Sequence, residues 1–269
     1  TQIALTAGGS ASPNDADKSF TITFNNDDIN RVKAEANVGT VKADTWLLIG
    51  ANAIKDMAGK ECKLITAGSA QQAAQVTGDV TKPVLANFAL DLDQNKLILT
   101  FGESIDVSTF VATSYTIQDA ATAGVGNTQT LTGGIATATS TDIVSVALVQ
   151  ADVDKFKANE NLATKASDTY LTFSADAIKD TSANGIAALA DGAGIVANGY
   201  TVDATPPTLV KYELNLNTGT LSLTFSETVD AGDFAATGIR LQSTATGGVT
   251  YDLTSGSVLT SSTDAPIVS

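Results

Sequence analysis

The sequence predicts an all-β protein: tandem antiparallel β-sandwiches with a period of 124 residues, each carrying one short helix. Three observations lead there. Residues 81–118 return as residues 205–242 with 15 of 38 positions identical, and residues 28–56 return as residues 152–180 with 13 of 29 identical, both at one fixed offset. A repeat that long matches a whole domain rather than a solenoid unit. Between the repeats, apolar and polar residues alternate in short runs bounded by Gly and Asn, the pattern of half-buried strands. One segment per copy departs from that alternation and has helical spacing instead.

The offset divides the chain into residues 1–80, the back of one copy, 81–204, a complete copy, and 205–269, the front of the next. The chain opens on Thr1 with neither Met nor a charged and apolar leader, and reads as a window cut from a longer array. In the second reading, half-copies of neighbouring molecules complete each other, because half a sandwich leaves strand edges and a core face open.

In the complete copy, Phe88–Asp93 alternates, turns at Gln94-Asn95-Lys96, and alternates again over Leu97–Phe101. The next copy repeats this as Tyr212–Asn217, Thr218-Gly219 and Thr220–Phe225. Period-2 runs around a short turn predict a β-hairpin with one buried face. Further strands are expected at 115–118, 128–132, 143–148, 170–174 and 199–202, a spacing that suits a sandwich. The helix is expected at 150–159, with its counterpart at 26–36. Acidic residues come first, Lys or Arg later, and Val153 and Phe156 match Ile29 and Val32. Asp79–Pro83 and Asp203–Pro207 are linkers, in which proline stops the preceding ladder and stiffens the joint.

Composition narrows the function. The chain is 43% hydrophobic, enough to build cores, and has a formal net charge of −14. That charge argues against nucleic acid and anionic membranes, and no apolar run is long enough for membrane insertion. Histidine is absent, which removes the usual neutral-pH base. Cys62 is the single cysteine, and its counterpart is Ile186, so it reads as a small buried hydrophobe. No intrachain disulfide is possible.

The run Asp203-Ala204-Thr205-Pro206-Pro207, followed by Leu223-Thr224-Phe225-Ser226-Glu227-Thr228-Val229-Asp230, resembles the bacterial Ig-like repeats of S-layer proteins and giant surface adhesins. The complete copy departs from it at Lys82 and Gly102. Ile178-Lys179-Asp180 and Ile54-Lys55-Asp56 extend the likeness, and similar long repeats occur in large cyanobacterial and protist surface proteins. The resemblance implies an Ig-like sandwich at a cell surface. It does not imply one activity, because such sandwiches host many.

Glu103 and Asp106 recur as Glu227 and Asp230, and Asp79 recurs as Asp203 in the linkers. As an acid/base couple the first pairs lack a nucleophile or a third catalytic group, so no catalytic residue is assigned and the chain does not read as an enzyme. As oxygen ligands, Asp79, Glu103, Asp106, Asp203, Glu227 and Asp230 are candidate calcium residues that could clamp the joints. No EF-hand loop accompanies them, and a turn-capping role competes with calcium. Asp91 and Asp93 become Asn215 and Asn217 and read as a solvated face. Trp46 and Tyr170 share one position, read either as a core aromatic or as a platform for sugar rings. No cofactor other than calcium is suggested.

These readings converge on a structural repeat of an extracellular filament, fibre or cell-surface stalk. Its partners are further copies of itself or neighbouring repeats. The alternative is a glycan- or partner-binding adhesion module stabilised by calcium.

Overall fold

The computed structural model describes residues 2–6, 9–14, 19–124, 127–259 and 264–268. It is mostly β, with two α-helices among the described residues, in keeping with the all-β expectation. No helix among those residues is long and apolar enough to cross a membrane.

The first stretch of chain pairs β1 (Ser10–Asn14) with β2 (Ser19–Thr23), then forms α1 (Asn26–Lys33). Asn25 caps α1, its side chain accepting from Asp28 N at 2.7 Å. A short ladder joins β3 (Trp46–Leu47) to β4 (Gln71–Gln72). A separate antiparallel bridge joins Ile49 and Ile65.

Residues 81–204 hold two larger sheets and one two-stranded ladder. In chain order the elements are β5 (Leu85–Asp91), β6 (Lys96–Phe101), β7 (Ile105–Asp106), β8 (Tyr115–Gln118), β9 (Thr128–Thr130), β10 (Ile135–Ala138) and β11 (Ile143–Ala147). After these come α2 (Gln150–Lys157), β12 (Tyr170–Phe173), β13 (Lys179–Asp180), β14 (Ile195–Val196) and β15 (Gly199–Thr201). One sheet runs β10-β11-β6-β5-β15, the other β14-β12-β8-β9, and β7 pairs with β13. Every pairing is antiparallel except β15 with β5, which is parallel, Gly199 to Thr201 lying against Ala89 to Asp91. The hairpin read from the alternation is therefore β5–β6, with Phe88 opposite Leu99 and Leu90 opposite Leu97.

The alternation explains the core. Phe88, Leu90, Leu97 and Leu99 from the first sheet, and Tyr115, Ile117, Leu171 and Phe173 from the second, belong to one buried cluster. Phe156 of α2 and Ile178 complete it. Tyr115 stacks on Phe110 with ring centroids 5.0 Å apart. At roughly 1.5–3 kcal/mol for each large apolar side chain fully buried, this cluster is the main source of stability.

The third stretch forms β16 (Leu209–Asn215), β17 (Thr220–Val229), β18 (Arg240–Thr244), β19 (Gly247–Asp252) and β20 (Ala265–Val268). Sheet β16-β17-β20 follows the register of the complete copy, Leu223 pairing with Val268 as Leu99 pairs with Val144, whereas β18-β19 pairs Arg240 with Asp252, two residues short of the register of β8-β9. Burial does not follow. Leu85, Phe88 and Leu90 are 9%, 0% and 1% exposed, whereas Leu209, Tyr212 and Leu214 are 52%, 57% and 47% exposed. The first stretch behaves alike, with Ile22, Leu47 and Ile54 largely exposed where Val146, Leu171 and Ile178 are buried.

Two aromatic and thiol expectations need correction. Trp46 is half-exposed and Tyr170 only partly buried, so neither fills a core. Their strand presents the neighbouring residue, Leu171, to the interior instead. Cys62 is partly exposed rather than buried, its thiol directed at the Gly50 carbonyl 3.2 Å away. Its counterpart Ile186 is buried only because the complete copy encloses it.

Candidate functional site

The last turn of α1 ends in Lys33 and the last turn of α2 in Lys157. A base there complements the helix dipole. Each lysine also reaches forward into the next copy. Lys33 Nζ lies 2.9 Å from Asp79 Oδ2 and 2.6 Å from Glu103 Oε2. Lys157 Nζ lies 2.8 Å from Asp203 Oδ2 and 2.6 Å from Glu227 Oε2. One ammonium thus joins three parts of the chain: the helix of one copy, the linker, and the strand region after the first hairpin of the next.

The surrounding contacts repeat as well. Asp79 accepts from Thr81 N and Asp203 from Thr205 N, both at 3.1 Å, which turns each linker carboxylate toward its lysine. The Ser104 hydroxyl donates to the Asn30 carbonyl of α1 at 2.6 Å. At the second joint the Thr228 hydroxyl donates to the Asp154 carboxylate of α2 at 3.1 Å. Glu103 and Glu227 are buried and the lysines largely so, which shields the ion pairs from water.

The electrostatics follow from this burial. Desolvation opposes the charge on Lys33, yet its bonds to Glu103 and Asp79 prevail and hold its pKa above the ordinary lysine value. Lys157 is raised in the same way against its burial by Asp203 and Glu227. Asp79 and Asp203 are desolvated, but their lysines lower both below the ordinary carboxylate value. For Glu103 desolvation outweighs Lys33, and its pKa lies above the ordinary value.

Of the six calcium candidates, the structure brings Asp79 together with Glu103, and Asp203 with Glu227, and places a lysine ammonium between each pair. Asp180 joins the first pair, its carboxylate within 4.8 Å of the other two. Its oxygens accept from Ser182 N, Asn184 N and the Asn184 side chain, so it organises its own turn. Asp106 and Asp230 stand apart as caps of short 3₁₀ turns, accepting from Ser108 N at 3.0 Å and Gly232 N at 2.6 Å. Four of the six candidates, Asp79, Glu103, Asp203 and Glu227, thus face a lysine ammonium of the chain itself.

Two further features escaped the sequence. Asp152, fully buried at the start of α2, accepts from Thr132 N at 2.7 Å and the Thr132 hydroxyl at 2.9 Å. Asp28 does the same for Thr6, at 2.8 and 3.1 Å. Asp93, read as a solvated residue, accepts from Ala204 N at 3.1 Å and the Thr205 hydroxyl at 3.0 Å, tying the outgoing linker to the β5–β6 turn. Comparison of the chain with family models, curated proteins and solved structures finds no match.

Proposed function

We propose that this chain is a structural repeat of an extracellular filament, fibre or cell-surface stalk. On this reading residues 81–204 are one Ig-like β-sandwich in an array of period 124, and the joints set the array's stiffness. The observation that carries the reading is the recurrence of the lysine clamp at both joints, with Lys33 and Lys157 contacting the same pair of residue types at the same two positions. A catalytic or ligand site needs to occur once. A joint that fixes the angle between units must occur between every pair of units, because geometry propagates through nearest neighbours.

Small-angle scattering tests this. Wild-type residues 1–269 are expected to scatter as one extended rigid particle. Lys157→Met is expected to give a broadened distance distribution while the domain of residues 81–204 stays folded. An unchanged distribution in Lys33→Met/Lys157→Met would sink the reading.

Trp46 supports a second reading, a glycan- or partner-binding module. Its ring is half-exposed on β3, and its indole N–H is spent on the Ala43 carbonyl at 3.2 Å, leaving the ring face free for stacking. Loss of glycan-array signal in Trp46→Ala would favour it.

A further inference from the structure

Each joint brings an amine, a carboxyl carbon and a second carboxyl group into one set of contacts. Lys33 Nζ lies 2.9 Å from Asp79 Oδ2, with Asp79 Cγ one C–O bond further on, and 2.6 Å from Glu103 Oε2. At the second joint Lys157 Nζ lies 2.8 Å from Asp203 Oδ2 and 2.6 Å from Glu227 Oε2. All three residue types are identical at the repeat offset.

The two carboxyl groups of each trio are held differently. The glutamate is the most deeply buried member at both joints. Its side chain is 10% and 9% exposed, against 15% and 23% for the aspartates and 19% and 13% for the lysines. Burial favours the neutral form of a carboxyl group, so the glutamate is the better place to park a proton taken from the ammonium. Each aspartate instead accepts on Oδ1 from a backbone N–H, Thr81 N and Thr205 N, both at 3.1 Å. A fixed donor there stabilises the negative charge that builds on Oδ1 when Cγ is attacked. Oδ2, the oxygen facing the lysine, is the one left to depart.

We propose that Lys33 with Asp79, and Lys157 with Asp203, are sites of autocatalytic amide formation between side chains, with Glu103 and Glu227 as the proton carriers. The ammonium passes one proton to the glutamate carboxylate, and the freed amine attacks Cγ. The Nζ–Cγ bond forms, and the glutamate returns the proton to Oδ2. A second ammonium proton follows by the same route, the Cγ–Oδ2 bond breaks, and Oδ2 leaves as water. Of the three ammonium hydrogens, one stays on the amide and two leave in the water. The glutamate ends as it began, and no co-reactant is consumed.

The ion pair is the state before reaction. Its neutral form, amine beside carboxylic acid, is the minor one, but groups held in contact react with effective molarities of about 10⁵–10⁸ M, so a small population suffices. The bond closes residues 33–79 into one ring and 157–203 into another, fastening the last turn of each helix to the linker that follows it. The inference stands on the contacts of the joints and not on the stalk reading, and chains that have not reacted keep the ion pair.

Intact mass under denaturing conditions tests it. Wild-type residues 1–269 are expected to be lighter than the sequence mass by two waters. Glu103→Gln and Lys157→Arg each stop the reaction at one joint and are expected to restore one water, and the double variant both. Protease digestion of the wild type is expected to release one branched peptide carrying Lys33 and Asp79 and another carrying Lys157 and Asp203. Cooperative unfolding of each variant is the control for folding. A wild-type mass equal to the sequence mass overturns the proposal, whether or not scattering finds the joints rigid. So does a water loss that survives in the double variant, or one that maps to a cyclised aspartyl residue within an unbranched peptide.

Discussion

Lys157 Nζ and Glu227 Oε2 are 2.6 Å apart across 70 residues of chain, and the pair Lys33 and Glu103 repeats both the distance and the separation. The lysine ends a helix and the glutamate follows a hairpin in the next copy, so neither side chain is held by its own local structure alone. The contact makes helix, linker and hairpin one unit, and several consequences can be measured.

Lys157→Met leaves Asp203 and Glu227 facing each other without a cation. Breaking a largely buried pair from one side exposes the full desolvation cost of the remaining charge, expected here at about 2 kcal/mol because the site is partly solvated. Double-mutant cycles with Glu227→Gln, read by chemical denaturation, are expected to recover part of that loss.

The joints are expected to be tightest at intermediate pH. Asp79 and Asp203 have depressed folded pKa values, so their contribution is present above the ordinary 3.8 and is lost as pH falls through the lower folded values. Lys33 and Lys157 are raised, so theirs is complete below 10.5 and is lost as pH rises through the higher folded values. Glu103 works in the opposite sense: its protonated form is favoured on folding, which softens the acid-side loss at the first joint. Scattering at acid, neutral and alkaline pH is expected to show one compact joint geometry between roughly pH 4 and 10 and broadening beyond either limit.

Leu99→Ala and Leu223→Ala change the same repeat position in different surroundings. Leu99 is fully buried, and its truncation is expected to cost about 3 kcal/mol through lost transfer and a residual cavity. Leu223 is only partly covered, and its truncation is expected to cost under about 1 kcal/mol. Urea unfolding of the two variants checks the difference.

Asp152→Ala removes the acceptor for Thr132 N and the Thr132 hydroxyl, both beside the start of α2. Asp152 is buried but Thr132 is exposed, so water can reach the freed donors and the loss is expected at about 1 kcal/mol, part of which Asp152→Asn is expected to recover. Thermal unfolding of the two variants would show this order.

The longer strands and both helices were legible in the sequence because they depend on local periodicity: the β5–β6 alternation and the acid-first, base-last helix survive whether or not a partner covers them, whereas the short β7, β10, β13 and β14 carry too few residues to show a period. The joint was legible only in part. Asp79, Glu103 and their counterparts stand out as retained carboxylates, and a cation was expected among them. The signal that names the cation is that Lys33 and Lys157 are also identical across the repeat. A lysine in a last helical turn has a local explanation, the helix dipole, and that explanation hides a contact made 70 residues away. Trp46 and Cys62 were misread for another reason. Burial is a property of the enclosing fold, and a sequence pattern gives the face that is apolar without saying what covers it.

The parallel pairing of β5 with β15 bears on how such a unit would carry tension. The chain enters at the start of β5 and leaves at the end of β15, and the two strands run side by side in one direction. Pulling entry and exit apart slides one strand along the other. The bonds Asn198 N to Phe88 O at 2.8 Å and Leu92 N to Thr201 O at 3.0 Å then take the load together. An antiparallel pair pulled from one end would open like a zip, one bond at a time. Resistance to stretching is thus set by the three residues of ladder at Gly199–Thr201, laid along the edge of core strand β5.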